Sequence, residues 1–143
     1  ICTKIGKAAQ QFRQAAVQTY AIYWSDNGPK KREEIDFCNW EAAPSDILVD
    51  KCTDSAFNSS NIHTLLRKNK KKKLLVCGFN TNACVASTVV DALRHKYEVY
   101  LMKDLTENSC TCCSKKYGLD VMEQRGAKII TSKKMLAMMC GKR

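Results

Sequence analysis

Short apolar runs of strand length alternate along this chain with amphipathic segments of helical length, and that alternation restricts the fold more than any single residue does. VQTYAIYW, DILVD, LLVCG, EVYLM and KII read as strands, because short apolar runs bounded by turn residues suit strands covered on both faces. The segments around them carry helical spacing. Ile1, Ile5, Ala8, Ala9, Phe12, Ala15 and Ala16 form one stripe, and Val85, Val89, Ala92 and Leu93 form another. SAFNSSNIHTLLRK reads as a helix that offers Phe57, Ile62, Leu65 and Leu66 to a core, and SKKMLAMMC as a closing helix. SCTCCSKKYGLDVMEQRG reads as a helix that ends at Gly126, a residue suited to the left-handed position after a helix. Between Lys30 and Pro44 the chain is polar and irregular, a loop with a short element around Phe37 and Trp40. Strands joined by connections of helical length lie parallel, so the expected fold is α/β: a three-layer α/β/α arrangement with a mostly parallel central sheet. At 143 residues the chain is long enough for one domain with a sizeable core and too short for two.

Open α/β sheets bind ligands outside the carboxyl ends of their strands. Lys51 follows DILVD and Cys84 follows LLVCGF, so both fall at that edge. Cys84 also sits where a strand turns into a helix. Unpaired backbone N–H groups and the positive end of the helix dipole favour an anion there, and a thiolate is an anion. Two readings stand side by side: a reactive thiolate, or the small buried hydrophobe that most free cysteines are. A lysine on a neighbouring strand end favours the first.

Other features exclude whole classes of function. No apolar run approaches the length that crosses a bilayer. ICTKIGKAAQQF has neither an apolar targeting core nor a cleavage pattern, so the expected compartment is the cytoplasm. Nine cysteines cannot all pair, and Cys2, Cys38, Cys52, Cys77 and Cys140 are scattered through apolar or amphipathic segments, which suits reduced thiols. The cluster SCTCCS, with Cys110, Cys112 and Cys113, lacks a second ligand pair, and His63 and His95 each stand alone. A helix start that carries thiols is therefore expected there, with no metal. The net charge of +10 is densest in RKNKKKK, Arg67 to Lys73. That run contains no aromatic residue of the kind that stacks bases, so a solvated loop is expected and no specific nucleic-acid partner.

Three stretches carry a resemblance to the isochorismatase-like cysteine hydrolases, a family that includes nicotinamidases and carbamoylsarcosine amidohydrolases. GFNTNACVASTVVDAL resembles the family's Gly-x-x-Thr-x-x-Cys-Val stretch, with Thr and Asp-Ala following on the same helix. DILVDKCTDSAFNSS looks like its strand, lysine and Ser-Ala-Phe segment, and YEVYLMKDLTENS is similar to its next strand and turn. The resemblance implies that Cys84 is the nucleophile and Lys51 the triad lysine, a positive charge that lowers the thiol pKa. It implies a cis peptide between Phe79 and Asn80, turning the backbone N–H groups of Asn80 and Cys84 into an oxyanion hole. Phe57, Trp24 and Asn80 are expected to line the substrate pocket, with ordinary core packing the alternative for both aromatics. Assembly into homo-oligomers is implied too, and the apolar groups of KKMLAMMCGKR and of Phe37 to Trp40 suit it.

The departures from the family pattern are as informative. The resemblance places an aspartate at the end of a first strand, ahead of the helix that begins at Ile1. No such strand is present, and none of the fourteen acidic residues occupies that place. The expectation is thus a single domain over residues 1–143 that lacks the N-terminal strand. Nicotinamidases carry an Asp-x-His pattern for a metal after the second strand. Here the residues are YWSDNGPKK, in which Asp26 matches one ligand and no histidine follows. Neither metal nor other cofactor is expected, nor is nicotinamide. Isochorismatases proper lack the cysteine, so Cys84 argues against isochorismate. What remains is a hydrolase that attacks a small amide-like C–N substrate and passes through a thioester on Cys84. The alternative is a noncatalytic relative of the same fold that serves small-molecule binding or assembly, supported by the missing aspartate.

Overall fold

The computed structural model describes residues 1–37, 40–110 and 114–141. The readings for Cys112 and Cys113 and for the centre of the Phe37 to Trp40 element fall on residues outside that set. The chain begins with α1 (Cys2–Gln14), followed by β1 (Tyr20–Trp24) and a single 3-10 turn at Arg32–Glu34. Next come β2 (Ile47–Lys51), α2 (Ala56–Ser59), α3 (Ile62–Lys68) and β3 (Lys73–Phe79). A wide turn, Thr81–Val85, leads into α4 (Ala86–Arg94), and then follow β4 (Glu98–Glu107), α5 (Lys115–Gln124), β5 (Lys128–Ile130) and α6 (Ser132–Cys140).

Every strand pair is parallel, as the helical connections require. The strands form two sheets, however: β1 with β2, and β3, β4, β5 in that order. Two cores hold the sheets against helices on either side. On one face Ile62 and Leu66 of α3, Val89 and Ala92 of α4 and Met122 of α5 pack with Val49, Val99 and Leu101. Val49 comes from the first sheet and Val99 and Leu101 from the second, so one apolar core joins both. On the other face Ile5, Ala8 and Phe12 of α1 meet Met102, Leu105, Ile130 and Met135 of α6. The result is the expected three layers. Ile5, Ala8 and Phe12 of the first stripe and Val85, Val89 and Ala92 of the second are buried, because residues three and four apart share one side of a helix, whereas Ile1 and Ala16 lie outside α1 and are exposed.

Local details differ from the sequence expectation. The segment read as one helix from Ser55 to Lys68 is two, broken at Ser60 and Asn61. The Ser60 hydroxyl donates to the Ala56 carbonyl at 2.6 Å and accepts from the Ile62 N–H at 3.1 Å. That side chain offers the backbone an alternative to the helical ladder. β4 runs on to Glu107 instead of ending near Met102. Its register against β3 changes between Val76, opposite Leu101, and Gly78, opposite Thr106, so three extra residues of β4 bulge out. Gly78 takes φ +130 at that step, a backbone conformation that disfavours a side chain. The bulge brings Thr106 level with the end of β3, where the wide turn begins.

Candidate active site

β1 and β2 end side by side, with Trp24 opposite Lys51 in the register. Lys51 is buried although it is charged, which requires partners. Its ammonium has three donors, and three acceptors surround it: the Thr53 carbonyl at 2.9 Å, the Asp54 carbonyl at 3.2 Å and Cys84 Sγ at 3.4 Å. The Trp24 ring covers the same group, its centroid 4.6 Å from Nζ, a cation–π arrangement. Trp24 keeps its other face to solvent, and its indole N–H donates to Asp26 at 2.8 Å.

Cys84 approaches from the second sheet. The expected helix start is a wider turn, closed by the Val85 N–H to Asn80 carbonyl bond at 3.0 Å, and α4 proper begins at Ala86. Such i to i+5 turns are uncommon in helices and recur at functional sites. Side chains hold the turn from several directions. Thr81 and Thr106 bring their hydroxyls within 2.9 Å, and Asn82 N–H donates to Asn108 Oδ1 at 3.1 Å. The Asn80 side chain accepts from the Ser109 N–H at 2.7 Å, and the Phe79–Asn80 peptide is cis.

The third member of the cluster is Asp54, which sequence reasoning passed over. Cys84 Sγ lies 3.5 Å from Asp54 Oδ1, with the thiol as donor. Sulfur thus accepts from an ammonium and donates to a carboxylate. The loop that carries Asp54 is held by the Ser59 hydroxyl, which accepts from the N–H groups of Cys52 and Thr53 at 3.0 and 3.1 Å. The Ala56 N–H donates to Thr88 Oγ1 of α4 at 3.1 Å, which ties the loop to the helix behind Cys84. An acidic residue three positions after Lys51 was the only available signal, and it points nowhere without the loop's path. Asp54 also lines an open groove of about 550 Å³ that runs between α4 and α5, with Ser87, Arg94 and Arg125 along it.

The structure therefore brings together Cys84, Lys51 and Trp24. Asn80 lies at the start of the turn, with its side chain directed to Ser109. Phe57 turns elsewhere: its ring stacks on His95 at 5.2 Å and lies 6.2 Å from His63 and 5.8 Å from Tyr97. His63 and His95 stack on each other at 4.2 Å, and desolvation, the neighbouring His95 and Arg67 hold the His63 pKa below its ordinary value. Among the described residues no group of three or more His, Cys, Asp and Glu side chains converges as a metal site would require. No helix among them is long and apolar enough to cross a membrane. Cys77 lies within β3, the strand that leads into the turn. Burial, with Asp104 nearby, pushes its thiol up to about 11.

Comparison with known proteins bears on family and fold. A family model described as the isochorismatase domain matches residues 1–134. The ureidoacrylate amidohydrolase RutB of Azorhizobium caulinodans is 36% identical over 66 residues, 46% of this chain and 29% of that protein. The secreted isochorismatase effector Isc1 of Phytophthora sojae is 30% identical over 92 residues, 64% of this chain and 43% of that protein. The chain thus spans less than half the length of these curated relatives. Among solved structures, a cysteine hydrolase from Pseudomonas syringae pv. phaseolicola superposes with a TM-score of 0.83 at 18% identity, covering 100% of this chain and 81% of that one. That likeness is one of fold.

Proposed function

The chain belongs to the isochorismatase family, and on that premise we propose that it is a cysteine-dependent hydrolase of a small amide-like C–N bond. The observation that carries this reading is Cys84 Sγ held 3.4 Å from the Lys51 ammonium at the carboxyl ends of two strands from different sheets. The ammonium donates to the sulfur at that distance, and sulfur is the atom of cysteine that attacks carbonyl carbon. Attack builds negative charge on the carbonyl oxygen. The backbone N–H groups of Asn80 and Cys84 are the assigned donors for it, and Trp24 and Asn80 the assigned pocket residues, while the Phe57 ring, stacked on His95, takes the core-packing alternative. Cleavage of the C–N bond leaves a thioester on Cys84, which water hydrolyses. Relatives named as ureidoacrylate amidohydrolases support ureido and amide compounds as the first class to examine.

Residues 1–143 are read as a single domain. Each of β1 and β3 keeps one edge that no described strand pairs, and the strand missing from the family pattern is assigned to that position. Homo-oligomers belong to the same proposal, supported by the exposure of Met138 on α6. The free thiols of Cys52, Cys77, Cys84 and Cys140 support a reducing compartment such as the cytoplasm.

The experiment is an ammonia-release assay across small amides and ureido acids, with wild type and Cys84→Ala side by side. Release by wild type that the variant lacks supports the reading. Equal release by both, or none from any compound, overturns it.

A further inference from the structure

We propose that the sheet edge opposite Cys84 is a docking surface for an anionic phospholipid bilayer, on which the protein rests without entering it. Three turns of one design build this edge. α3, α4 and α5 each end with N–H groups that reach back to the last helical carbonyls. Lys70 bonds to Arg67 and Lys71 to Leu66, Lys96 to Leu93 and Tyr97 to Ala92, Gly126 to Glu123 and Ala127 to Met122, all at 2.9 or 3.0 Å. The residue that turns the chain has φ +52 at Lys70, +66 at Lys96 and +106 at Gly126. Glycine takes this left-handed conformation freely and lysine does so under strain. Two of the three positions nevertheless carry a charge.

The sheet gathers these turns. β3, β4 and β5 are parallel neighbours, so the connections that feed them emerge at one edge. Lys73 stands level with Glu98 and Tyr100 with Lys128, and the Glu98 N–H donates to the Lys72 carbonyl at 2.9 Å, which sets the first two turns side by side. Their charge is of one sign. Arg67, Lys68, Lys70, Lys71 and Lys72 surround the first turn, Lys96 stands at the second and Arg125 at the third. All but Lys71 are exposed, and among the described residues none of them is in an ion pair. The acids beside them are already engaged, Glu98 by Lys73 and Lys128 and Asp91 by Arg94, which leaves Glu123 on the third turn. Cations in the last turn of a helix, such as Arg67 and Lys68 of α3, are stabilised by the carbonyls there. That effect fades beyond the last turn, and Lys71 and Lys72 lie past it.

Shape and chemistry select the partner. Adjacent turns at one level of a sheet present a flat plate of lysines, which suits a flat field of phosphates. Each Lys or Arg near such a surface raises partitioning roughly fivefold. Nucleic acid held by such a surface would want rings on which bases stack. The rings beside this edge are occupied: His63 and His95 stack on each other, His95 stacks on Phe57, and Tyr97 is buried. Docked in this way, the protein turns Cys84 to the water. The length of β3, Lys73–Phe79, separates the edge from the Cys84 turn by about 20 Å. This exceeds the Debye length of about 10 Å in about 0.1 M salt, so the proposal is independent of the reaction at Cys84.

The experiment is co-sedimentation of the full chain with vesicles of phosphatidylcholine, alone or with about one third phosphatidylserine. Wild type is expected to bind the anionic vesicles, to leave the neutral ones alone and to come off in about 0.5 M salt. An edge variant with Lys68→Gln, Lys70→Gly, Lys72→Gln and Lys96→Gly is expected to bind about a hundredfold more weakly or worse. Its two glycines suit the left-handed positions, and a urea midpoint at or above that of wild type confirms the fold. If the midpoint falls, the pair Lys70→Gly and Lys96→Gly is used by itself, with an expected loss of about twentyfold. A control with Lys4→Gln, Lys7→Gln, Lys133→Gln and Lys134→Gln, on α1 and α6, has the same net charge as the edge variant and is expected to lose far less. Equal losses in the edge and control variants would assign the binding to net charge and overturn the docking surface. Failure of wild type to bind the anionic vesicles would overturn it too. If wild type leaves them for a single-stranded RNA oligonucleotide at equal phosphate concentration, the edge belongs to nucleic acid and the lipid reading falls.

Discussion

Thr106 Oγ1 lies 2.9 Å from Thr81 Oγ1 and 2.9 Å from the carbonyl oxygen of Gly78. A hydroxyl has one proton and a carbonyl can only accept, so Thr106 donates to Gly78 and Thr81 donates to Thr106. Both threonines are fully buried. The pair locks the end of β3, the bulged part of β4 and the first residue of the turn that presents Cys84.

Thr106→Val keeps the shape and deletes the link, leaving the Thr81 hydroxyl without its acceptor. The expected loss is about 1–3 kcal/mol of stability, read from the urea midpoint. Thr106→Ser, which keeps the oxygen, is expected to lose less. Equal midpoints for valine and wild type would show that the hydroxyl pair does not hold the turn.

Lys51→Met retains an apolar stem beneath Trp24 and removes the charge beside Cys84. Alkylation of Cys84 by iodoacetamide at neutral pH is expected to slow, because the sulfur loses the ammonium that donates to it at 3.4 Å. Peptide mapping must follow Cys84 separately from the exposed Cys52 and Cys140. An unchanged rate at Cys84 would remove Lys51 from the mechanism.

Gly118 of α5 passes so close to the turn that an added Cβ would sit 2.1 Å from Asn82 Oδ1 and 3.3 Å from Thr81 Cγ2. Asn82 would have to move, putting at risk its bond to the Ser114 carbonyl at 3.0 Å. Gly118→Ala is expected to destabilise by about 1–3 kcal/mol despite alanine's better helix propensity. In an Asn82→Ala background the same change is expected to be neutral or stabilising. A double-mutant cycle reads the coupling, and additive effects would place the clash elsewhere.

Glu98 ties the first residues of three strands. Lys128 reaches its carboxylate at 2.5 Å, the Tyr100 hydroxyl at 2.7 Å and Lys73 at 3.3 Å. Hydrogen bonds from Lys128 first, then Tyr100, lower its pKa from 4.5 to about 2. A depressed carboxylate contributes stability above its ordinary pKa and loses it as pH falls through the depressed one. Glu98→Gln should therefore flatten the decline in stability between pH 4.5 and about 2, measured by thermal unfolding across that window. A slope identical to wild type would show that these exposed pairs are screened by solvent.

Much of the architecture is legible in the residues. Spacing of three and four marks Ile5, Ala8 and Phe12 as one buried face and Val85, Val89 and Ala92 as another, and all six are buried. The ends of DILVD and LLVCGF could be placed at one edge because parallel strands share a direction. Lys51 and Cys84, which follow those ends, lie in contact at 3.4 Å. Phe57 shows where such reading stops. Its position in the segment suits a pocket, yet α2 ends at Ser59 and the ring stacks with His95. Whether an aromatic faces a site or a neighbouring helix depends on where that helix breaks, and here the Ser60 hydroxyl, bonded to the Ala56 carbonyl and the Ile62 N–H, stands at the break.

By itself the sequence determined the alternation of strands and helices, the faces they bury and the strand edge where chemistry would gather, because periodicity and turn residues act over a few positions of chain. Only the tertiary structure decided that the strands divide into two sheets, that Cys84 stands in a wide turn ahead of α4, and that Asp54 reaches its sulfur. Asp54 and Cys84 are 30 positions apart and come from opposite sides of the break between the sheets. Their contact follows from the path of one loop, pinned by Ser59 and Thr88. No local pattern encodes a distance that two separately folded elements set between them.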